Sequence, residues 1–338
     1  MRIVWLGKYP NPVSLVIRLL RRPDPEARAA LFYSALTVAA SPLDLIAGIY
    51  ERRLWQAADP SRHPLIFVVG PSRSGTTVVY QALVKALPVS YINNLTSIFP
   101  RSPITATRLV RRPFRNADVR LQSYYGRTAN WWEPNDKLFL WERWLGGNLR
   151  VPPTDLAPDM AQEMVQFFGA WSETFGQPLL NKVNALNFSA HLVAPVLPQA
   201  YFICLTRHPV FLAQSLLQAR RDINGTTNLP YGVDLPSRIR DVDPYKDVCS
   251  QVREYGAVAD RQEALIGRDK FWLVSYEDFC ARPSLLVERV AREALGIDFD
   301  AEAVDHVVPP IKASARQSLP DVEFNRITQE IARMGLGG

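Results

Sequence analysis

Cysteine is nearly absent from this 338-residue chain: Cys204, Cys249 and Cys280 are scattered and odd in number. They exclude a disulfide framework and a paired-cysteine metal site, and they fit a reducing compartment such as the cytoplasm. Histidine is also scarce. His63, His191, His208 and His306 show no metal-ligand spacing, so no metal is expected. Lysine supplies seven of the 39 basic residues. Arginine suits bidentate contact with phosphate or sulfate, although genome composition explains such a bias equally well. The net charge of +6, from 39 basic and 33 acidic residues, suits an anionic ligand and is too mild to call for nucleic acid. The start, Met-Arg-Ile-Val-Trp, lacks a basic region followed by an apolar one, so no secretory signal is expected.

Long apolar runs are missing, with one partial exception. Between Arg28 and Glu51 the only charge is Asp44, and residues 29–43 are apolar and helix-friendly. A spanning helix needs about 20 uninterrupted apolar residues. Pro42 and Asp44 interrupt this run near its middle. The sequence therefore predicts a helical arm over residues 1–60. In preference to spanning a bilayer, it packs on the body or lies in a membrane interface through residues 15–57, beside Arg18, Arg21, Arg22, Arg52 and Arg53. The turn-rich Asp59-Pro60 to His63-Pro64 leads into a body over residues 61–338.

The body opens on the most informative segment. An apolar strand, Leu65–Val69, ends in Gly70, and a short loop leads to a helix starting at Thr76-Thr77. A strand, a glycine-bearing turn and a helix N-terminus form an anion cradle, because loop N–H groups and the helix dipole point at one spot. Gly70 and Gly75 have the spacing of a nucleotide P-loop, but Thr76 stands where that loop carries its phosphate-clamping lysine. The cation inside the loop is Arg73. A kinase or NTPase would need that lysine and a magnesium-binding acid at a strand end. A non-catalytic, membrane-associated nucleotide-binding protein is a further alternative.

Further strands are predicted at 200–206 and 271–275, each a continuous apolar run. Helices are predicted at 158–176, 189–197, 209–221, 244–267 and 283–295, with a long loop or lid over 223–243. Leu179–Leu186 is a short segment carrying Lys182. A basic run (Arg101, Arg108, Arg111, Arg112, Arg115) reads as a solvated face, the rim of an anion site or an interaction patch. Strands alternating with helices predict an α/β fold, a P-loop-type three-layer sandwich around a central parallel sheet.

Three motifs in this order resemble the sulfotransferases that use 3′-phosphoadenosine 5′-phosphosulfate (PAPS). Pro71-Ser72-Arg73-Ser74-Gly75-Thr76-Thr77, after Gly70, looks like the 5′-phosphosulfate loop. Arg207-His208-Pro209 with Ser215 looks like the 3′-phosphate site. Tyr276-Glu277-Asp278 after strand 271–275 matches a late family element. Arg73 in the loop, with Asn181-Lys182, places the resemblance nearer the tyrosylprotein and bacterial branch. Geometry agrees: PAPS carries two separate anionic groups, and an eight-residue step turns Ser215 back toward the strand-end Arg207.

The resemblance implies sulfuryl transfer from PAPS to a hydroxyl. Arg73 would stabilise the developing charge and Lys182 would be a second cation on the sulfuryl group. The loop N–H groups with Thr76 and Thr77 would hold the 5′-phosphate, and Tyr276 would lie near the adenine or simply pack. The similar branch carries a glutamate base about twenty residues past the loop arginine, where this chain reads Tyr91-Ile92-Asn93-Asn94. Glu133, between Trp132 and Pro134, is the first choice of base, since aromatic walls would raise its pKa and line an acceptor pocket. Glu142 and His191 are reserves. The acceptor class stays open among small molecules, glycans, lipid-linked compounds and peptides, as does the oligomeric state. A cytoplasmic protein, with or without peripheral membrane contact, is expected.

Overall fold

The computed structural model describes residues 16–17, 25–109, 119–121, 128–136, 138–147, 149, 151–234 and 241–336. Among them one five-stranded sheet runs in the order β2–β3–β1–β4–β5, every neighbouring pair parallel. The strands are β1 (Leu65–Val69), β2 (Ser90–Tyr91), β3 (Leu179–Lys182), β4 (Ala200–Thr206) and β5 (Phe271–Ser275). The longer helices are α1 (Pro25–Ala57), α2 (Thr76–Ala86), α3 (Pro158–Phe175), α4 (Pro209–Ala219), α5 (Pro244–Ile266) and α6 (Asp321–Arg333).

All five residues of β1 are buried, as a central strand covered on both faces requires. Phe67 and Val69 enter one core layer with Trp141, Phe168 and Phe202; Ile66 and Val68 enter the other with Leu83, Ile203 and Trp272. α3 supplies the first layer and α2 the second, which gives the expected three-layer α/β sandwich with a helix at the N-terminal side. The chain passes from β3 on one side of β1 to β4 on the other. That reversal makes a crevice beyond the carboxyl ends of β3, β1 and β4, where such sheets bind ligands.

Several expectations change. Within the segment at 179–186, Leu179–Lys182 is a strand, β3, which ends in Asn181 and Lys182. Its polar end lies at the crevice and hides the apolar pattern of a buried strand. The helix expected at 189–197 shrinks to Ala190–Val193 after a 3-10 turn over Asn184–Phe188, because Pro195 and Pro198 oppose its continuation. The helix expected at 283–295 is α-helical over Pro283–Arg289 and widens to a π-helical turn over Val290–Leu295. Pro42 does not interrupt α1, which runs through it for 33 residues.

Tertiary contacts hold α1 where propensity would break it. Asp44 is buried and accepts hydrogen bonds from the Ser102 hydroxyl at 2.8 Å and the Arg101 N–H at 3.1 Å. Glu51 is fully buried and accepts from the N–H groups of Ile104 and Thr105 at 2.9 and 2.8 Å. It thereby caps the helix Pro103–Leu109. Burial pushes both carboxyls above their ordinary range, against the hydrogen bonds that pull them down. Trp55 packs edge-on against Phe167, with ring centres 5.3 Å apart. Of the basic residues singled out from the sequence, Arg18, Arg21, Arg22, Arg111, Arg112 and Arg115 lie outside the described residues.

Candidate active site

The loop after β1 is shaped by two glycines and one strained arginine. Gly70 has φ 133°, and a Cβ there would come 2.8 Å from the Leu205 carbonyl oxygen. Ser74 is buried, and its hydroxyl and N–H both donate to the Pro71 carbonyl, at 2.8 and 3.2 Å. Arg73 is the one non-glycine at positive φ among the described residues, 76°, a conformation that side chains adopt only when surroundings enforce it. The turn aims its carbonyl at Arg207, whose Nη1 donates to it at 2.7 Å. Gly75, φ 97°, lies under the Tyr276 ring, where a Cβ would come within 2.2 Å of Cδ2. No side chain caps the start of α2.

Three strand ends complete the site. From β4, Arg207 joins the loop to the C-terminal segment by donating also to the Ser314 carbonyl. Burial pulls its guanidinium below the usual range; the nearby Tyr276 opposes this, and the charge of Arg73 adds to it. Ser215, on α4, accepts from Arg73 Nε at 3.1 Å, so Arg73, Arg207 and Ser215 converge. From β3, Lys182 is 3% exposed and donates to the Thr77 hydroxyl at 3.0 Å. Thus the ammonium beside the helix N-terminus comes from the neighbouring strand rather than from the loop. The kinase or NTPase alternative is not favoured by this arrangement. After β5, Tyr276 stacks on the loop, with the Arg207 guanidinium 5.1 Å from its ring centre.

One cavity of about 280 Å³ is lined by Ser72, Arg73, Gly75, Thr76, Thr77, Lys182, Arg207, Ser215 and Tyr276. Pro71 and Ser74 are not among its lining residues; their mutual hydrogen bonds shape the loop behind it. Glu133 is placed elsewhere. Its carboxylate accepts from the N–H groups of Ala129 and Asn130, at 2.7 and 3.0 Å, and it borders a separate cavity with Trp131 and Trp132. Glu133 therefore closes a turn and is not beside the Arg73 and Lys182 side chains. His191 pairs with Gln262 on α5.

Five further residues, with no role expected from the sequence, line this cavity of about 280 Å³: Val78, Asp136, Asn184, Tyr231 and Ser314. Asp136 matters most. Its Oδ2 lies 2.8 Å from Lys182 Nζ. The signal was available, since Asp136 is three residues past Glu133 in the same tryptophan-rich segment. Tyr231 comes from the segment read as a lid, which Gln251 and Tyr255 hold at the carbonyls of Tyr231 and Val233; residues 235–240 of that segment lie outside the described residues. A second cavity, about 230 Å³, shares Asp136, Lys182 and Asn184 with the first and is otherwise lined by Leu138, Phe139, Trp141, Glu142, Leu149 and Val183. Among the described residues no cluster of three His, Cys, Asp or Glu side chains is placed to hold a metal ion.

A family model described as the sulfotransferase family matches residues 64–301, which takes in the loop, all five strands and each strand-end residue above. The chain belongs to the sulfotransferase family. It is accordingly a transferase enzyme, and its likeness to solved structures is one of fold. Sulfotransferase STF9 from Mycobacterium avium is 16% identical, with TM-score 0.55, over 93% of this chain and 85% of that one. Sulfotransferase STF1 from Mycobacterium tuberculosis H37Rv is 11% identical, with TM-score 0.49, over 97% and 93%. A sulfotransferase from Alicyclobacillus acidocaldarius is 16% identical, with TM-score 0.40, over 80% and 94%. No curated protein matches the chain.

Proposed function

We propose that this sulfotransferase moves a sulfuryl group from PAPS to the hydroxyl of an acceptor with an apolar body. The observation that carries this reading is the meeting of two unlike cavities at Asp136, Lys182 and Asn184. One is lined by arginines, hydroxyls and a helix N-terminus, the other largely by Leu138, Phe139, Trp141, Leu149 and Val183.

The first cavity has the two anion sites that PAPS requires. Arg207, Ser215 and the loop suit a 3′-phosphate at the end of β4. The uncapped start of α2, with Thr76, Thr77 and Lys182, suits the 5′-phosphosulfate. When bound, PAPS supplies the sulfuryl group and leaves as 3′,5′-adenosine bisphosphate. Lys182 and Arg73 place positive charge where negative charge grows on the transferring group and the leaving oxygen. Arg73 leaves its contact with Ser215 to do so, which releases the serine hydroxyl for the 3′-phosphate. Asp136 faces the second cavity and takes the proton of the acceptor hydroxyl, then passes it to solvent. Lys182 beside it holds the carboxylate in place at the junction of the two cavities. Glu142, on the second cavity's wall, is the reserve for that role.

The test supplies labelled PAPS with a panel of phenols and medium-chain alkanols, and with polar sugars for comparison. Sulfated apolar alcohols should appear, with product formation lost in Lys182→Ala. Transfer to sugars alone would overturn the apolar-acceptor reading, and no release of bisphosphate with any donor would overturn the PAPS reading.

A further inference from the structure

The helix α1 turns two carboxylates inward and a long apolar surface outward. Its buried face carries the carboxylates Asp44 and Glu51, both bonded to the body. Its outer face is apolar: every exposed position from Phe32 to Tyr50 is an aliphatic, aromatic or proline residue. Leu43, Leu45, Ile46 and Ile49 are each more than half exposed, at 66, 58, 68 and 61%. Soluble proteins rarely leave so continuous an apolar surface uncovered.

The charges around this face say what covers it. Arg28 and Arg53 are exposed, one at each end. They stand 25 residues apart, close to seven helical turns, so both lie on the side of the apolar stripe. Arg52 is exposed beside Arg53, and no exposed acid lies between Arg28 and Arg52. Trp131 extends the face: it is 41% exposed and meets the Phe32 ring edge-on at 5.9 Å. An apolar stripe with arginines at its ends and an exposed tryptophan at its side fits the acyl and headgroup levels of a bilayer with anionic lipid.

We propose that α1 lies flat in the surface of an anionic membrane and seats the enzyme there. The helix does not cross the bilayer in this arrangement, because crossing would pull Asp44 and Glu51 from Ser102, Ile104 and Thr105. A second copy of the chain fits less well: pairing two such faces along their length sets the exposed Arg28, Arg52 and Arg53 against one another, with no exposed acid among residues 28–53. This inference stands independently of the donor and acceptor assignments.

The test is co-flotation of the full-length protein with vesicles of phosphatidylcholine alone, or with about a third phosphatidylglycerol. The protein should bind the anionic vesicles, and less so as salt rises. Ile46→Glu with Ile49→Glu should lower the bound fraction at least about tenfold while circular dichroism stays unchanged. Arg52→Ser with Arg53→Ser should remove the preference for phosphatidylglycerol. Absence of vesicle binding by the wild type would overturn the proposal. So would vesicle binding undiminished in the Ile46→Glu, Ile49→Glu variant, or a dimer in light scattering that this variant dissolves.

Discussion

The Lys182 ammonium lies 2.8 Å from the Asp136 carboxylate and 3.0 Å from the Thr77 hydroxyl. One strand-end lysine therefore links the N-terminus of α2 to the wall of the second cavity. Donor and acceptor sides of a transfer reaction would meet at this pair. Asp136→Asn should lower kcat by about 10²- to 10⁴-fold, the usual range for losing a general base, while leaving the affinity for 3′,5′-adenosine bisphosphate nearly unchanged. The pH–rate profile should lose its acidic limb, and Asp136→Glu should restore part of the rate. Glu133→Ala should behave differently, lowering stability by about 1–3 kcal/mol because two turn N–H groups lose their acceptor. Steady-state kinetics with thermal unfolding separates the two carboxylates, and a kcat loss confined to Glu133→Ala would reverse their assignment.

Gly75 should tolerate no side chain. Its φ of 97° is unfavourable for alanine, and the Tyr276 ring already occupies the Cβ position. Gly75→Ala should cost about 1–3 kcal/mol and weaken bisphosphate binding together. Adding Tyr276→Ala should recover part of the binding by clearing the clash, while leaving the backbone strain. Equal loss in the single and double variants would show that the ring is not what the glycine accommodates.

Asp44 and Glu51 make the docking of α1 sensitive to pH. Burial raises both carboxyls, so the folded protein binds these protons more tightly than the unfolded chain does. Their contribution to stability is therefore greatest at low pH and falls as pH rises from the ordinary carboxylate range, near 4, through the raised values. Other carboxylates superimpose their own trends, so the comparison is with Glu51→Gln. The variant should gain on the wild type as pH rises through this window in paired urea titrations. A difference that does not change with pH would mean that Glu51 titrates normally.

Activity should be unchanged by EDTA. The charge that a nucleotide P-loop enzyme draws from a loop lysine and magnesium would, on the proposed reading, come from Arg73, Arg207 and Lys182, which line one cavity. A loss of rate on chelation, restored by magnesium, would show that these three cations are insufficient.

Much of this architecture is legible in the sequence where local pattern and tertiary role agree. β1, β4 and β5 are continuous apolar runs because both faces of each strand are covered, and the loop from Gly70 to Thr77 announces itself by its glycines. β2 has two residues and presents no pattern at all. β3 ends in Asn181, which accepts from the Trp141 indole N–H, and in Lys182, which lines the cavity, so its apolar pattern stops short. Pro42 misleads for the opposite reason: the buried Asp44 and Glu51 hold a helix that local rules would stop. Asp136 escaped notice because proximity to tryptophan favoured Glu133, whereas the fold turns the chain at Pro134 and presents the later acid to Lys182. Tyr231 and Ser314 sit in irregular segments, where no periodicity marks a lining residue.

The most direct measurement is a calorimetric titration of the full-length protein and its Arg207→Ala variant with 3′,5′-adenosine bisphosphate, with ATP and magnesium as the comparison. The two anion sites predict tight binding of the bisphosphate by the wild type, weakened about 100-fold or more in the variant by loss of a charge-assisted phosphate contact. Failure to bind the bisphosphate, or a preference for ATP, would contradict the assignment of this cavity to PAPS.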